Sequence, residues 1–342
     1  LAKENIDIMY RYSTMLYYGL RICVNKKKAV DYFKKALEKG GSISIYKHAK
    51  KISSIDYVAC NKNDAQLFLK MVCEIEKSDV IFSYACMLFH GSSGISYNKD
   101  EAAYFFKISA DNGNPESMKY YASMLFSQNY IANNNEIIYY LNYYYSKTGK
   151  DLLYSYGCKI YNTLDYRYSA DYFKKSAANG NTKSMYKYAV MMATGNEYEI
   201  DREVAVEYFK MHGEAENDDT LFKYACKLYH EDNKNEAAYY FKASADNGNS
   251  KSMFIYADLV DNGDVWNENS NDAWYYYKEA ADQGNAKAMY KYANMCYYGE
   301  KINKNLEEAA YYYKKAADYG NIEYAALMYA IMLFRGEGVN YD

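Results

Sequence analysis

One repeat constrains this chain more than any other feature. The stretch Asn271–Glu300, NDAWYYYKEAADQGNAKAMYKYANMCYYGE, returns 36 residues later as LEEAAYYYKKAADYGNIEYAALMYAIMLFRGEG. A frame set on Gly113, Gly180, Gly248, Gly284 and Gly320 fits the same module throughout. A period of this length marks a stack of supersecondary units, each burying its apolar face against its neighbours.

The module reads as two helices joined at a glycine. Ala273, Tyr276, Tyr277, Ala280 and Ala281 recur at the steps of one helical face. Gly284 is placed to stop that helix in the left-handed conformation, and Asn285 to cap the next one. The second helix carries Met289, Tyr292, Ala293 and Cys296 on one face. The chain's one proline supports the frame, since Asn114-Pro115-Glu116 puts it at the first helical position. Small residues at Ala280, Ala281, Ala293 and Ala317 are expected where helices approach closely. Lys278, Lys314 and Lys315 are expected in last turns, where positive charge suits the helix dipole.

These residues carry a specific resemblance. Ala309, Tyr312, Tyr313, Lys315, Ala316, Ala317, Gly320 and Asn321 match one helix form of the Sel1-like repeat (SLR) family, a relative of tetratricopeptide repeats. Ala288, Tyr292-Ala293 and Cys296 match the other form, with Tyr-Ala in place of Leu-Gly. By the family's convention the Tyr-Ala helix is A and the Ala-Ala helix is B. The resemblance implies an all-α fold, a right-handed α/α solenoid of antiparallel helix pairs, and it covers essentially the whole chain.

The Tyr-Ala pair position recurs at Tyr12-Ser13, His48-Ala49, Tyr84-Ala85, Tyr121-Ala122, Tyr156-Gly157, Tyr188-Ala189, Tyr224-Ala225, Tyr256-Ala257, Tyr292-Ala293 and Tyr329-Ala330. Ten A helices and nine B helices follow, about nine full repeats plus a tenth first helix in a single continuous solenoid over residues 1–342. The steps are 35 to 37 residues except for two of 32, where Cys158–Ala170 and Cys226–Ala237 have lost loop residues. Two B helices break the small pair, with Tyr144-Tyr145 and His212-Gly213. Bulk at such a crossing should push helices apart or tilt the junction. The chain opens on Leu1 and closes on an apolar A helix, Tyr329–Phe334. The expectation is a piece of a longer chain, or a packing partner over that end.

Composition excludes several functions. A net charge of −3 offers no electrostatic case for nucleic acid or an anionic membrane, and no apolar run approaches the length of a membrane span. His48, His90, His212 and His230 fall in different repeats with no zinc-protease spacing. The seven cysteines include no C-x-x-C; Cys86, Cys158 and Cys226 share one position just after the small residue of helix A. No metal, cofactor or catalytic constellation is indicated, and a cytoplasmic location is expected. The 47 tyrosines are abnormal. They read as compositional bias at core positions, or as an adhesive surface.

Surface remains as the source of function. In tetratricopeptide-like solenoids the A helices line the concave side, and the resemblance carries the groove to positions two before, two after and five after the pair tyrosine. Its aromatic members here are Phe82, Phe89, Phe126, Tyr154, Tyr161, Phe222, Tyr229, Tyr290 and Tyr297. The implied function is a protein-interaction scaffold or adaptor that binds a protein or peptide. The alternatives are an accessory module of a signalling or ubiquitin-ligase-associated protein, and a structural part of a large assembly.

Overall fold

The computed structural model describes residues 5–19, 79–91, 97–195, 199–265 and 273–339, with isolated positions between 21 and 39. The pair position His48-Ala49 and the cysteines Cys60 and Cys73 lie outside the described residues. The chain divides into two compact units, residues 1–179 and 180–342, and each is described by itself. All regular structure among the described residues is helical.

The first unit holds α1 (Ile6–Tyr18), α2 (Asp79–His90), α3 (Lys99–Asp111), α4 (Pro115–Asn129), α5 (Asn134–Thr148), α6 (Leu153–Tyr161) and α7 (Tyr166–Ala178). The second holds α8 (Thr182–Thr194), α9 (Arg202–Glu216), α10 (Thr220–His230), α11 (Lys234–Asp246), α12 (Ser250–Asp261), α13 (Ala273–Asp282), α14 (Ala286–Tyr298), α15 (Leu306–Gly320) and α16 (Glu323–Arg335). From α2 onward A and B helices alternate, and within a unit each of these packs on its neighbours in the chain, as the antiparallel pairing requires.

Local chemistry places the helix ends. Asn114, Asn181, Asn249 and Asn285 each accept a hydrogen bond from the backbone N–H three residues on, and so cap α4, α8, α12 and α14. Pro115 stands in the first turn of α4. Gly113, Gly180, Gly248 and Gly284 take φ values of +92°, +89°, +97° and +93°, which let the chain reverse between B and A helices.

The last repeat departs from this plan. Gly320 is the last helical residue of α15, and the space there admits only glycine, since a Cβ would stand 2.1 Å from the Ala286 Cβ. The left-handed residue is Asn321, at φ +48°. It cannot then serve as an N-cap, and Ile322 begins α16 with no side-chain cap. The expected basic last turns are also corrected: α13 and α15 carry no cation in theirs. Lys315 instead lies 4.5 Å over the Tyr311 ring.

The core explains the pair position. Tyr84, Tyr121, Tyr156, Tyr188, Tyr224, Tyr256 and Tyr292 are buried with the small residue beside them. Most meet the first buried aromatic ring of the following B helix edge to face: Tyr84–Phe105 at 4.9 Å, Tyr121–Tyr140 at 5.1 Å, Tyr224–Tyr240 at 5.0 Å, Tyr256–Tyr276 at 4.9 Å and Tyr292–Tyr312 at 5.1 Å. Ala281 and Ala293 are fully buried, whereas Ala317, in the last B helix, is half-buried.

Tyrosine hydroxyls tie successive repeats together. Tyr140 donates to Asp111 at 2.5 Å, Tyr276 to Asp246 at 2.8 Å, and Tyr312 to Asp282. Each bond runs from a B helix to the carboxylate that ends the previous B helix. Tyr172 and Tyr240 occupy the equivalent place, yet their buried hydroxyls have no partner. The matching residue before Tyr172 is Ser146, which donates to the Tyr143 carbonyl. The one before Tyr240 is Glu214, which lines a cavity of about 390 Å³ at the α9–α10 junction. Both orphans stand in the two shortened repeats, directly after the B helices that lost their small pair. There α5 packs lightly on α6, and α9 on α10, as bulk at the crossing predicted.

Candidate interaction face on the A helices

Seven residues separate the positions two before and five after the pair tyrosine. That is about two helical turns, so both side chains leave one face of helix A. The structure brings them together around a single ring of the B helix that follows. Phe82 and Phe89 flank Phe106 with centroids at 6.0 and 6.1 Å; Tyr154 and Tyr161 flank Phe173 at 5.9 and 6.2 Å. In the second unit Phe222 and Tyr229 flank Phe241 at 6.1 and 6.3 Å, and Tyr290 and Tyr297 flank Tyr313 at 6.1 and 6.3 Å. The central ring is buried and the outer two are half-buried, except Tyr229, which is 41% exposed.

The nine candidate rings are therefore not one site; eight of them form the same two-ring unit on α2, α6, α10 and α14. They have two faces, one packed on the B helix and one open. Phe126 is the exception: it stacks on Tyr130 at 5.5 Å and meets Tyr156 of the next A helix at 4.9 Å. In its repeat the position two before the pair tyrosine is Lys119, so no second ring completes the clamp. In α12 the position five after is Asp261, and Phe254 meets Tyr277 alone at 6.0 Å. Tyr297 is also held by its hydroxyl, which donates to Glu337 at 3.0 Å. That bond, with burial, raises its ionisation above the ordinary phenol range.

The position between the two rings is polar or small. Cys86, Cys158 and Cys226 occupy it half-buried, and Asp258 and Asn294 take it in α12 and α14. Asp258 accepts from Tyr277 at 3.1 Å and Asn294 from Tyr313 at 2.6 Å, so a B-helix hydroxyl reaches this face. Burial, then Glu116, pushes the Cys86 thiol up; burial, then Asp219, does the same for Cys226. Buried Cys296 is raised to about 11, by burial first. These are thiols at neutral pH, which is the protonation of packing residues and not of nucleophiles.

Chemistry elsewhere is dispersed. His90 and His230 are exposed, and His212 meets the Thr220 hydroxyl at 2.8 Å through its Nδ1. Among the described residues no group of three or more His, Cys, Asp or Glu could hold a metal ion. No described helix is long and apolar enough to cross a membrane. On α16, Tyr324 is 70% exposed, Leu327 57% and Phe334 88%, while Met332 of the same apolar run is buried.

Sequence reasoning found the flanking rings through the pair-position frame but missed the ring they enclose. Its signal was present, as the last residue of an aromatic run in the B helix, at Phe106, Phe173, Phe241, Tyr277 and Tyr313.

Comparison with known proteins fits this geometry. The family model for the Sel1 repeat matches residues 7–41, 78–114, 144–181, 182–211, 223–249, 250–285, 286–321 and 323–342. A comparison with curated proteins found no match. Among solved structures, a protective antigen present in uropathogenic Escherichia coli strains, displaying an SLR fold, is 18% identical with a TM-score of 0.34, covering 99% of this chain and 82% of that one. A Sel1 repeat protein from Oxalobacter formigenes is 16% identical with a TM-score of 0.33, covering 95% and 86%. The pair α4–α5 lies outside the matched stretches up to Tyr144, yet it has the same edge-to-face tyrosine contact as its neighbours. With well over half of its residues matched, the chain belongs to the Sel1 repeat family.

Proposed function

We propose that this chain is a protein-interaction scaffold whose partner lies along the A-helix face, the concave surface of one solenoid over residues 1–342. One observation carries this reading. Four A helices, α2, α6, α10 and α14, each present two partly open rings, held at fixed spacing by a buried third and separated by a small or polar side chain. Rigid aromatic anchors with polar neighbours are the usual chemistry of protein recognition. Sel1 repeats generally mediate protein–protein interaction, which supports the same reading.

Phe222, Tyr229, Tyr290 and Tyr297 are the proposed anchors. Affinity capture from native extract, followed by mass spectrometry, identifies the partner. Single alanine substitutions at these positions should each weaken capture about tenfold, corresponding to roughly 1.4 kcal/mol. Unchanged recovery by folded variants places the binding surface elsewhere.

A further inference from the structure

The second unit contains a groove of about 580 Å³ across the N-terminal ends of its A helices. Its apolar wall is Phe222 from α10, Phe254 and Ile255 from α12, and Ile322 at the start of α16. All four are half-buried, so the wall is open to a ligand. The charged residues that line it are two lysines, Lys251 and Lys287.

Those lysines are placed against the local field. Lys251 is the second residue of α12 and Lys287 the second of α14. A helix N-terminus has positive character, and carboxylates normally occupy its first turn. Neither helix has one there. Both ammonium groups are exposed, and among the described residues neither forms an ion pair. No carboxylate lines the groove, although the chain as a whole carries a net charge of −3. Two unneutralised cations and two helix N-termini thus converge on one apolar trough.

We infer that this groove binds a partner segment in which a bulky apolar side chain is flanked by aspartate or glutamate. The apolar residue fills the wall between Phe222, Phe254 and Ile322. The acidic residues neutralise Lys251 and Lys287. Charge complementarity selects this occupant over a basic or purely apolar segment, which would leave the two lysines facing an uncompensated wall. The inference rests on the interaction reading above and adds the chemistry of the partner.

The test is a phage-displayed random peptide selection on the full chain, with synthetic copies of enriched peptides titrated by fluorescence anisotropy. Enriched sequences should combine an aromatic or large aliphatic residue with acidic neighbours, and their affinity should fall as salt rises. The double charge reversal Lys251→Glu/Lys287→Glu should weaken binding by about tenfold or more, through loss of both partners and new repulsion. Both side chains are exposed, so the variant should keep its helix content. Lys183→Glu is the control, since Lys183 has the same register in α8 but does not line the groove.

Three results would overturn the inference: no enrichment, enriched peptides without acidic residues, or acidic peptides whose affinity survives the double reversal. If those peptides need Tyr290 and Tyr297 instead, the interaction face stands and the acidic partner does not. If neither set matters, both readings fall.

Discussion

Replacing Tyr276 and Tyr240 by phenylalanine should move stability in opposite directions. The two residues hold the same place in successive B helices, and each meets its pair tyrosine edge to face, Tyr256 at 4.9 Å and Tyr224 at 5.0 Å. Their hydroxyls are bonded differently. The Tyr276 hydroxyl donates to Asp246 at 2.8 Å, while the Tyr240 hydroxyl is buried without a partner. A hydrogen bond to a charged group contributes about 1.5–3 kcal/mol when shielded, and the open side of Asp246 argues for the low end. Tyr276→Phe should therefore cost ~1–1.5 kcal/mol. Tyr240→Phe removes a desolvated hydroxyl that has no bond to lose, and should be neutral or stabilising by up to ~1 kcal/mol. Urea titration followed by helix signal measures both, with equal m-values needed for the comparison. Equal losses for the two variants would refute the hydroxyl ladder as a link between repeats.

Three further perturbations follow from the packing and the titrations. Ala281→Leu should destabilise by about 1–3 kcal/mol, because the side chain is fully buried, while Lys314→Leu on an exposed face should leave the urea midpoint near wild type. Gly213→Ala gains about 1 kcal/mol of helix propensity, but its Cβ would stand 2.7 Å from the Asp218 carbonyl oxygen. A lower thermal midpoint is expected, and a raised one would show that the α9–α10 junction yields. Burial raises Tyr224 to about 12, whereas an unfolded tyrosine ionises near pH 10. The raised folded value means that this contribution is intact below about pH 10 and lost as pH climbs towards 12, so helix content and tyrosinate absorbance should change together in that window. Simple titration near pH 10 with no loss of helix would contradict the burial.

The repeat plan was legible because it rests on local chemistry. Gly284 and Asn285 announce a turn and a cap by their own conformational preferences, and Tyr292-Ala293 announces a face by its period. The departures were visible only as departures. Tyr144-Tyr145 and His212-Gly213 signalled loosened junctions, and the structure places them there. The orphaned Tyr172 and Tyr240 hydroxyls one repeat later go with Ser146 and Glu214 at the place of the aspartate acceptor, a pairing visible only once the helices are packed. Gly320 shows the same limit. A glycine after a helix reads as a left-handed stop, but Gly320 ends α15 in helical conformation with Ala286 of the preceding helix against it, and Asn321 takes the turn. The abundance of tyrosine has a partial physical account that composition did not suggest. A ring alone would fill the core, whereas Tyr140, Tyr276 and Tyr312 use the hydroxyl to bond the preceding repeat. On the candidate face, the family resemblance pointed to the flanking rings, and tertiary packing determined how far each is open. Lys251 and Lys287 drew no notice in sequence because their significance lies in what fails to surround them.

The most direct test of the scaffold reading is a binding titration of the captured partner against the combined variant Phe222→Ala/Tyr229→Ala/Tyr290→Ala/Tyr297→Ala, with helix content and urea midpoint measured on the same preparation. These rings pack on Phe241 and Tyr313, so some loss of stability is expected, and the comparison is made below the unfolding transition. The account predicts that the folded variant loses affinity by about a hundredfold or more, since anchor residues dominate such interfaces. Wild-type affinity in the folded variant would contradict it, and would direct attention to the exposed Tyr324, Leu327 and Phe334 of α16.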